Sequence, residues 1–160
     1  MKVGINKFLR LIISLLLPQL AGGIGALFTF KAISSWYQFL NKLSFSPPNW
    51  LFGPAWMSLY ILMGISSFLI WQEKEKNEKA GKILKIYFLH LFLNAAWSIF
   101  FFGLRNILLG FLEIIVLWLV IGYLLISFFK IKKIAAFLWL PYFLWVSFAM
   151  ILNFAILKLN

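Results

Sequence analysis

Three stretches of the chain place tryptophan, tyrosine and asparagine at helical spacing. Trp56, Tyr60, Gly64 and Ser67 share one face, His90, Asn94, Trp97, Ser98 and Phe101 a second, and Tyr142, Trp145, Ala149 and Asn153 a third. Such indole N–H, phenol and amide groups can hold the polar edge of a flat apolar ligand while their rings cover its face. The same residues also serve as hydrogen-bonded glue in a plain packed core. Spacing alone favours the packed core. A fourth stretch carries two small-xxx-small pairs, Ala21 with Gly25 and Gly22 with Ala26, and Gln19 and Thr29 fall near the same face. Small residues permit close helix contact, or they form a flat wall beside a planar guest.

Other chemistries have less support. His90 is the only histidine, and without cysteine or a carboxylate cluster it is poor ground for metal or haem ligation. Glu113 is the one acid inside an apolar run, which makes it a functional candidate. The plainer reading is that it reaches the interface or pairs with Arg105. There is no cysteine, so disulfides, iron–sulfur ligation and thiol catalysis are excluded. No Ser/His/acid set, paired intramembrane carboxylates or phosphate-cradling glycine loop appears. No catalytic residue is assigned.

The elements that position these faces must lie in lipid. The 160 residues are 64% hydrophobic and 12% charged, with a mean hydropathy of +0.97. A soluble fold of this size cannot hide that much apolar surface. Five runs are long enough to span, roughly 8–30, 50–71, 83–102, 107–129 and 134–157. Backbone groups cannot stay unpaired in hydrocarbon, so the spans must be helices, and none shows the alternation of a β-barrel. The expectation is an all-α, five-helix polytopic bundle forming one domain over 1–160. The apolar N-terminal run continues to Phe30, too long for a signal peptide, and is read as a retained span. The connection from Ile33 to Asn49 is the long one, rich in aromatics and proline, and loops of that length are often lids. Gln72–Gly81 reads as a solvated turn, Gly103–Asn106 as a tight hairpin, and Gly53-Pro54 as the first turn of the second span.

The net charge of +11 follows the ends of the runs. That pattern points to topology and lipid headgroups, not to nucleic acid. Of the fifteen Lys and Arg, eleven fall on the side of the N-terminus (Lys2, Lys7, Arg10, and those at 74–85 and 130–133). Lys31, Lys42, Arg105 and Lys158 fall opposite. This predicts a cytoplasmic N-terminus and a first loop outside, in the plasma membrane of a prokaryote.

Several segments carry a resemblance. Trp36-Tyr37 followed by Ser46-Pro47-Pro48-Asn49-Trp50-Leu51-Phe52-Gly53-Pro54-Ala55-Trp56, then Asn94-Ala95-Ala96-Trp97-Ser98, Phe101-Phe102-Gly103-Leu104-Arg105 and Pro141-Tyr142-Phe143-Leu144-Trp145 through Ala149 and Leu152-Asn153, stand in this order. From about Gly22 to Asn153 the chain resembles the TspO/MBR family of translocator and tryptophan-rich sensory proteins. The resemblance implies a five-helix bundle that often dimerises and binds tetrapyrroles such as protoporphyrin IX or haem, with sterols or synthetic ligands in some members. It implies a pocket between the helices under the first loop. Trp56 and Trp145 match the two motif tryptophans at that pocket, Asn94 the asparagine beside them, and Ala149 an alanine whose size affects binding. Tyr60, Tyr142, Phe101, Gly22, Ala26, Pro47 and Trp36 complete the candidate ligand-binding set, with carboxylates of a porphyrin toward Lys31 or Lys42. Glu113 stands where many members have an acid. Two positions depart: Lys42-Leu43 replaces a Lys-Pro of the first loop, and Phe154 replaces the tyrosine of a sterol motif ahead of Lys158. The expected function is a membrane tetrapyrrole-binding sensor or regulator. The alternatives are a transporter of porphyrins, sterols or other metabolites, and a light-dependent porphyrin-degrading activity.

Overall fold

The computed structural model describes residues 6–160, and Lys2 of the charge count lies outside them. Five long helices account for most of the chain: α1 (Lys7–Ser35), α2 (Asn49–Glu73), α3 (Glu78–Ser98), α4 (Ile107–Ile131) and α5 (Lys133–Leu159). All five are long and apolar enough to cross a bilayer, with α3 continued through a π-helical turn, Ile99–Gly103. Each expected span sits inside one of them, and every helix runs a few residues beyond it. The chain is an integral, multi-pass membrane protein. Asparagine starts three helices: Asn6, Asn77 and Asn106 each accept a hydrogen bond from a first-turn amide. Pro54 is not in a first turn as expected. Helix α2 begins at Asn49 after the extended Pro48, which leaves Pro54 in the second turn. Pro18 stays inside an unbroken α1.

The helices close a ring in the order α1, α2, α5, α4, α3. Both faces of most helices are apolar, because one meets protein and the other meets lipid. On α4, Leu108, Leu112, Val116, Leu119, Tyr123 and Ile126 form an exposed stripe, while Gly110, Ile114, Leu117, Ile121, Leu124 and Phe128 are buried. The hydrophobic effect does not draw helices together in hydrocarbon, so close packing and hydrogen bonds must. The half of the bundle nearest the N-terminus is filled at its centre, with an open apolar groove on its outer side between α4 and α5. Trp139 lies at its centre, fully buried, with its indole N–H donating to the Ile121 carbonyl oxygen at 3.2 Å and Tyr87, His90, Phe128 and Tyr142 around it. Ser66 donates to the Ala135 carbonyl oxygen across α2 and α5 at 2.8 Å. Gly64 lets α2 approach α1: a Cβ there would stand 2.8 Å from the Leu15 Cα and the Ser14 carbonyl oxygen.

The turn after α2 is tied down, not merely solvated. Arg10 pairs with Glu75 and Lys132 with Glu73, each at 2.8 Å. Arg10 holds the exposed Glu75 carboxyl below its usual range through a hydrogen bond and its charge. At the opposite end the long connection is ordered. A 3₁₀ turn, Tyr37–Phe39, follows α1, and Lys42 donates to the carbonyl oxygens of Tyr37 and Leu40 at 2.7 and 3.2 Å. Asn41 and Asn160 exchange hydrogen bonds of 3.0 and 3.1 Å, which pin the loop to the end of α5.

Gly64→Val should push α1 from α2 and lower stability by about 1–3 kcal/mol, the usual cost of overpacking. Gly23→Val, where a Cβ would meet nothing within 4 Å, should leave it unchanged. Thermal unfolding in detergent separates the two. On the charge asymmetry, a reporter fused after Asn160 should read as non-cytoplasmic.

Candidate functional site

A cavity of about 310 Å³ occupies the loop-side half of the bundle, at the small end of the range for small-molecule pockets. Four helices and the first loop surround it, and α4 contributes nothing to its wall. Helix α2 supplies Trp56 and Tyr60, stacked with ring centroids 5.4 Å apart and planes at 28°. The end of α3 supplies Trp97 and Phe101, stacked at 5.6 Å and 14°. Helix α5 supplies Trp145, Phe148, Ala149 and Asn153. Flat faces thus line the space from three directions, and Trp145 meets Phe52 edge-on at 6.3 Å. The π turn lets two consecutive phenylalanines point inward. Phe101 and Phe102 are both buried and pack edge-to-face at 4.9 Å, which a regular helix with 100° steps would not favour.

Glycines on α1 complete the wall. A Cβ on Gly22 would lie 2.0 Å from the Tyr60 ring, so the phenol can lie flat against α1 only because Gly22 has no side chain. Gly25 makes the same approach to Ser98 on α3. Both readings of the small-residue stretch therefore coexist: it packs against α2 and α3, and Gly22 and Ala26 also line the cavity.

Beneath the cavity runs a chain of buried hydrogen bonds. The Tyr60 hydroxyl donates to Asn94 Oδ1 at 3.0 Å, and Asn94 Nδ2 donates to the Tyr142 hydroxyl at 3.0 Å. The Tyr142 hydroxyl lies 2.7 Å from His90 Nε2. This chain spans α2, α3 and α5 and separates the cavity from the filled half. Two of the lining residues each carry a buried polar atom without a hydrogen-bond partner, Trp97 Nε1 and Asn153 Oδ1, both set back from the open space. They are one donor and one acceptor.

Of the candidate residues, Trp56, Tyr60, Phe101, Trp145, Ala149, Gly22 and Ala26 lie together around the cavity. Asn94 and Tyr142 do not reach it, because the hydrogen-bond chain holds both below the floor. Trp36 packs edge-on behind Phe101 at 5.6 Å, and Pro47 sits half-buried in the loop outside the lining. The Lys42 ammonium is taken up by loop carbonyl groups and lies over the Tyr37 ring at 4.7 Å, and burial lowers its pKa. Lys31 stays exposed at the loop-side end of α1. Glu113 neither reaches the interface nor pairs with Arg105. It is 7% exposed with no hydrogen-bond partner for its carboxylate oxygens, because it shares the inward stripe of α4. Arg105, in a left-handed backbone with φ 53°, turns towards α1 and donates to Ser35 Oγ at 3.4 Å. Among the described residues no cluster of His, Cys, Asp or Glu suited to a metal occurs. Phe148, Leu152, Asn153 and Ile156 were outside the candidate set. Asn153 stands on the face already marked by Trp145 and Ala149, Phe148 and Leu152 fall beside it at i+3 spacing, and Ile156 extends it by one turn.

The family model for TspO/MBR matches residues 14–159. The chain is 41% identical over 154 residues to the tryptophan-rich protein TspO of Archaeoglobus fulgidus, covering 96% of this chain and 99% of that one. It is 33% identical over 146 residues to the human translocator protein, covering 91% and 86%. It is 34% identical over 125 residues to the tryptophan-rich sensory protein of Cereibacter sphaeroides, covering 78% and 77%. With the family's motifs falling in order along five membrane helices, and several of them meeting at one cavity, the chain belongs to the TspO/MBR family.

Proposed function

We propose that the cavity binds a flat, mostly apolar tetrapyrrole such as protoporphyrin IX, and that the chain acts as a membrane sensor or regulator of tetrapyrrole or stress state. The observation that carries this reading is the pairing of stacked aromatic walls with one unmatched donor, Trp97 Nε1, and one unmatched acceptor, Asn153 Oδ1. Aromatic faces suit a conjugated plate. A guest that both accepts and donates, as a free-base pyrrole ring does, pairs with these two atoms once the Trp97 and Asn153 side chains turn toward the cavity, and so offsets their desolvation. The macrocycle is larger than the enclosed space, so one edge extends outward between α1 and α2. Its carboxylates then lie toward the loop side, where Lys31 is exposed. His90 lies below the floor, outside the cavity lining, with Nε2 engaged by Tyr142, so no histidine faces the space where a haem iron would sit. The name of the Cereibacter sphaeroides relative, a sensory protein, accords with this reading.

A transport reading has less support, because below the hydrogen-bond chain the bundle is filled by Trp139, Tyr87 and Phe128. Light-driven porphyrin breakdown draws on Trp56, Trp97 and Trp145, whose indoles line the cavity and can be oxidised without an acid–base triad.

Titrating the protein in nanodiscs with protoporphyrin IX should quench its tryptophan emission saturably. Trp145→Ala should weaken binding about ten-fold, or about 1.4 kcal/mol. Trp97→Phe keeps the ring but removes the N–H, and should cost about 0.5–1.5 kcal/mol of affinity. Unchanged affinity in both variants means the ligand sits elsewhere. Under illumination, a new bilin-like absorbing product that disappears in Trp56→Phe and Trp145→Phe would add the degrading activity. Equal product yield in both would remove it.

A further inference from the structure

The loop-side end of the cavity is closed, while its flank is open. Over the end, Tyr37 is only 5% exposed and packs edge-on against Phe52 and Phe102. The Asn41–Asn160 hydrogen bonds and the Lys42 ammonium hold that cover in place. Between α1 and α2 the wall is missing. Besides the polar Asn49 at the loop-side start of α2, four lining residues there are themselves on the outer surface: Gly23, Phe30 at 69% exposure, Gly53 and Met57 at 62%. Nothing stands within 4 Å of a Cβ position at Gly23 or Gly53. The exposed part of the α1 lining reaches from Gly23 to Phe30, about 10 Å at 1.5 Å per residue. That is roughly a third of a ~30 Å hydrocarbon core, so the opening is a slot within the loop-side leaflet.

A slot of this kind opens onto acyl chains, not onto water. Its wall is predominantly apolar, which gives water few partners. Hydrocarbon that enters gains close dispersion contacts with the rings and exposes no polar group of its own. We propose that an acyl chain from a lipid of the loop-side leaflet enters between α1 and α2 and occupies the cavity when no other ligand is bound. The chain fills the space but leaves Trp97 Nε1 and Asn153 Oδ1 unpaired. A guest that pairs these atoms displaces it, and its apparent affinity includes that displacement. The inference follows from the position of the opening and holds whichever specific ligand the cavity takes.

The test uses the full chain in nanodiscs containing a phosphatidylcholine that carries a diazirine near the end of one acyl chain. After irradiation, peptide mass spectrometry should find adducts on Trp97, Phe101 or Leu152, beside those on the outward-facing Phe92 and Leu119. In the Gly23→Phe/Gly53→Phe double variant the cavity adducts should be lost while the outward ones persist. With the unaltered protein alone, moving the diazirine close to the headgroup should shift adducts from Trp97 to the slot rim at Phe30 and Met57. Adducts confined to outward-facing residues overturn the proposal, as does a cavity yield indifferent to diazirine depth. No tetrapyrrole is present in these measurements, so a failure of tetrapyrrole binding leaves their outcome intact.

Discussion

The hydrogen-bond chain through Tyr60, Asn94, Tyr142 and His90 sets the level at which the helices meet. A phenol, an amide and an imidazole left unpaired in hydrocarbon each cost a substantial desolvation penalty. Their pairing requires α2, α3 and α5 to stand at one register, with donors and acceptors within about 3 Å of one another. On one side of this layer the side chains interlock around the fully buried Trp139. On the other, paired aromatic plates from α2 and α3 face the indole of α5 and hold the helices apart. The same polar layer thus closes the core and forms the support of the cavity floor.

Helix α1 decides the shape of what lies above. At Gly64 of α2, α1 comes close to backbone contact, and at Gly22 it lies against the face of Tyr60. Beyond that point the two helices no longer seal against each other, and Gly23, Phe30, Gly53 and Met57 lie at once on the cavity and on the outer surface. Removing side chains at Gly23 and Gly53 widens the gap at no packing cost, since nothing reaches for those positions. Small residues therefore serve opposite ends along one helix: close approach in one half and an opening in the other.

Glu113 stands apart from this arrangement. Its carboxyl is buried on α4, which gives the cavity no lining residue, and it lies outside the hydrogen-bond chain. The nearest cation in sequence, Arg105, is carried away from it by the left-handed turn and the contact with Ser35.

Much of this protein is legible in its residues. Five uninterrupted apolar runs must be helices because lipid offers the backbone no other partner, and motif order is enough to mark the family. The recurrence of Trp, Tyr and Asn every three or four residues identified which faces carry polar and aromatic groups. It could not say which of these residues touch a cavity. Asn94 and Tyr142 share their faces with Trp97 and Trp145, yet the first two are consumed in hydrogen bonds one turn below the last two. Helical period fixes the direction of a side chain but not the depth at which another helix meets it. Glu113 and Lys42 were beyond the sequence for the same reason, since their surroundings come from residues distant in the chain or from a turn that periodicity does not describe. The sequence by itself determined five membrane helices and their family. Only the tertiary structure decided where they separate, because a gap between helices depends on the relative offset of several surfaces and is written in none of them alone.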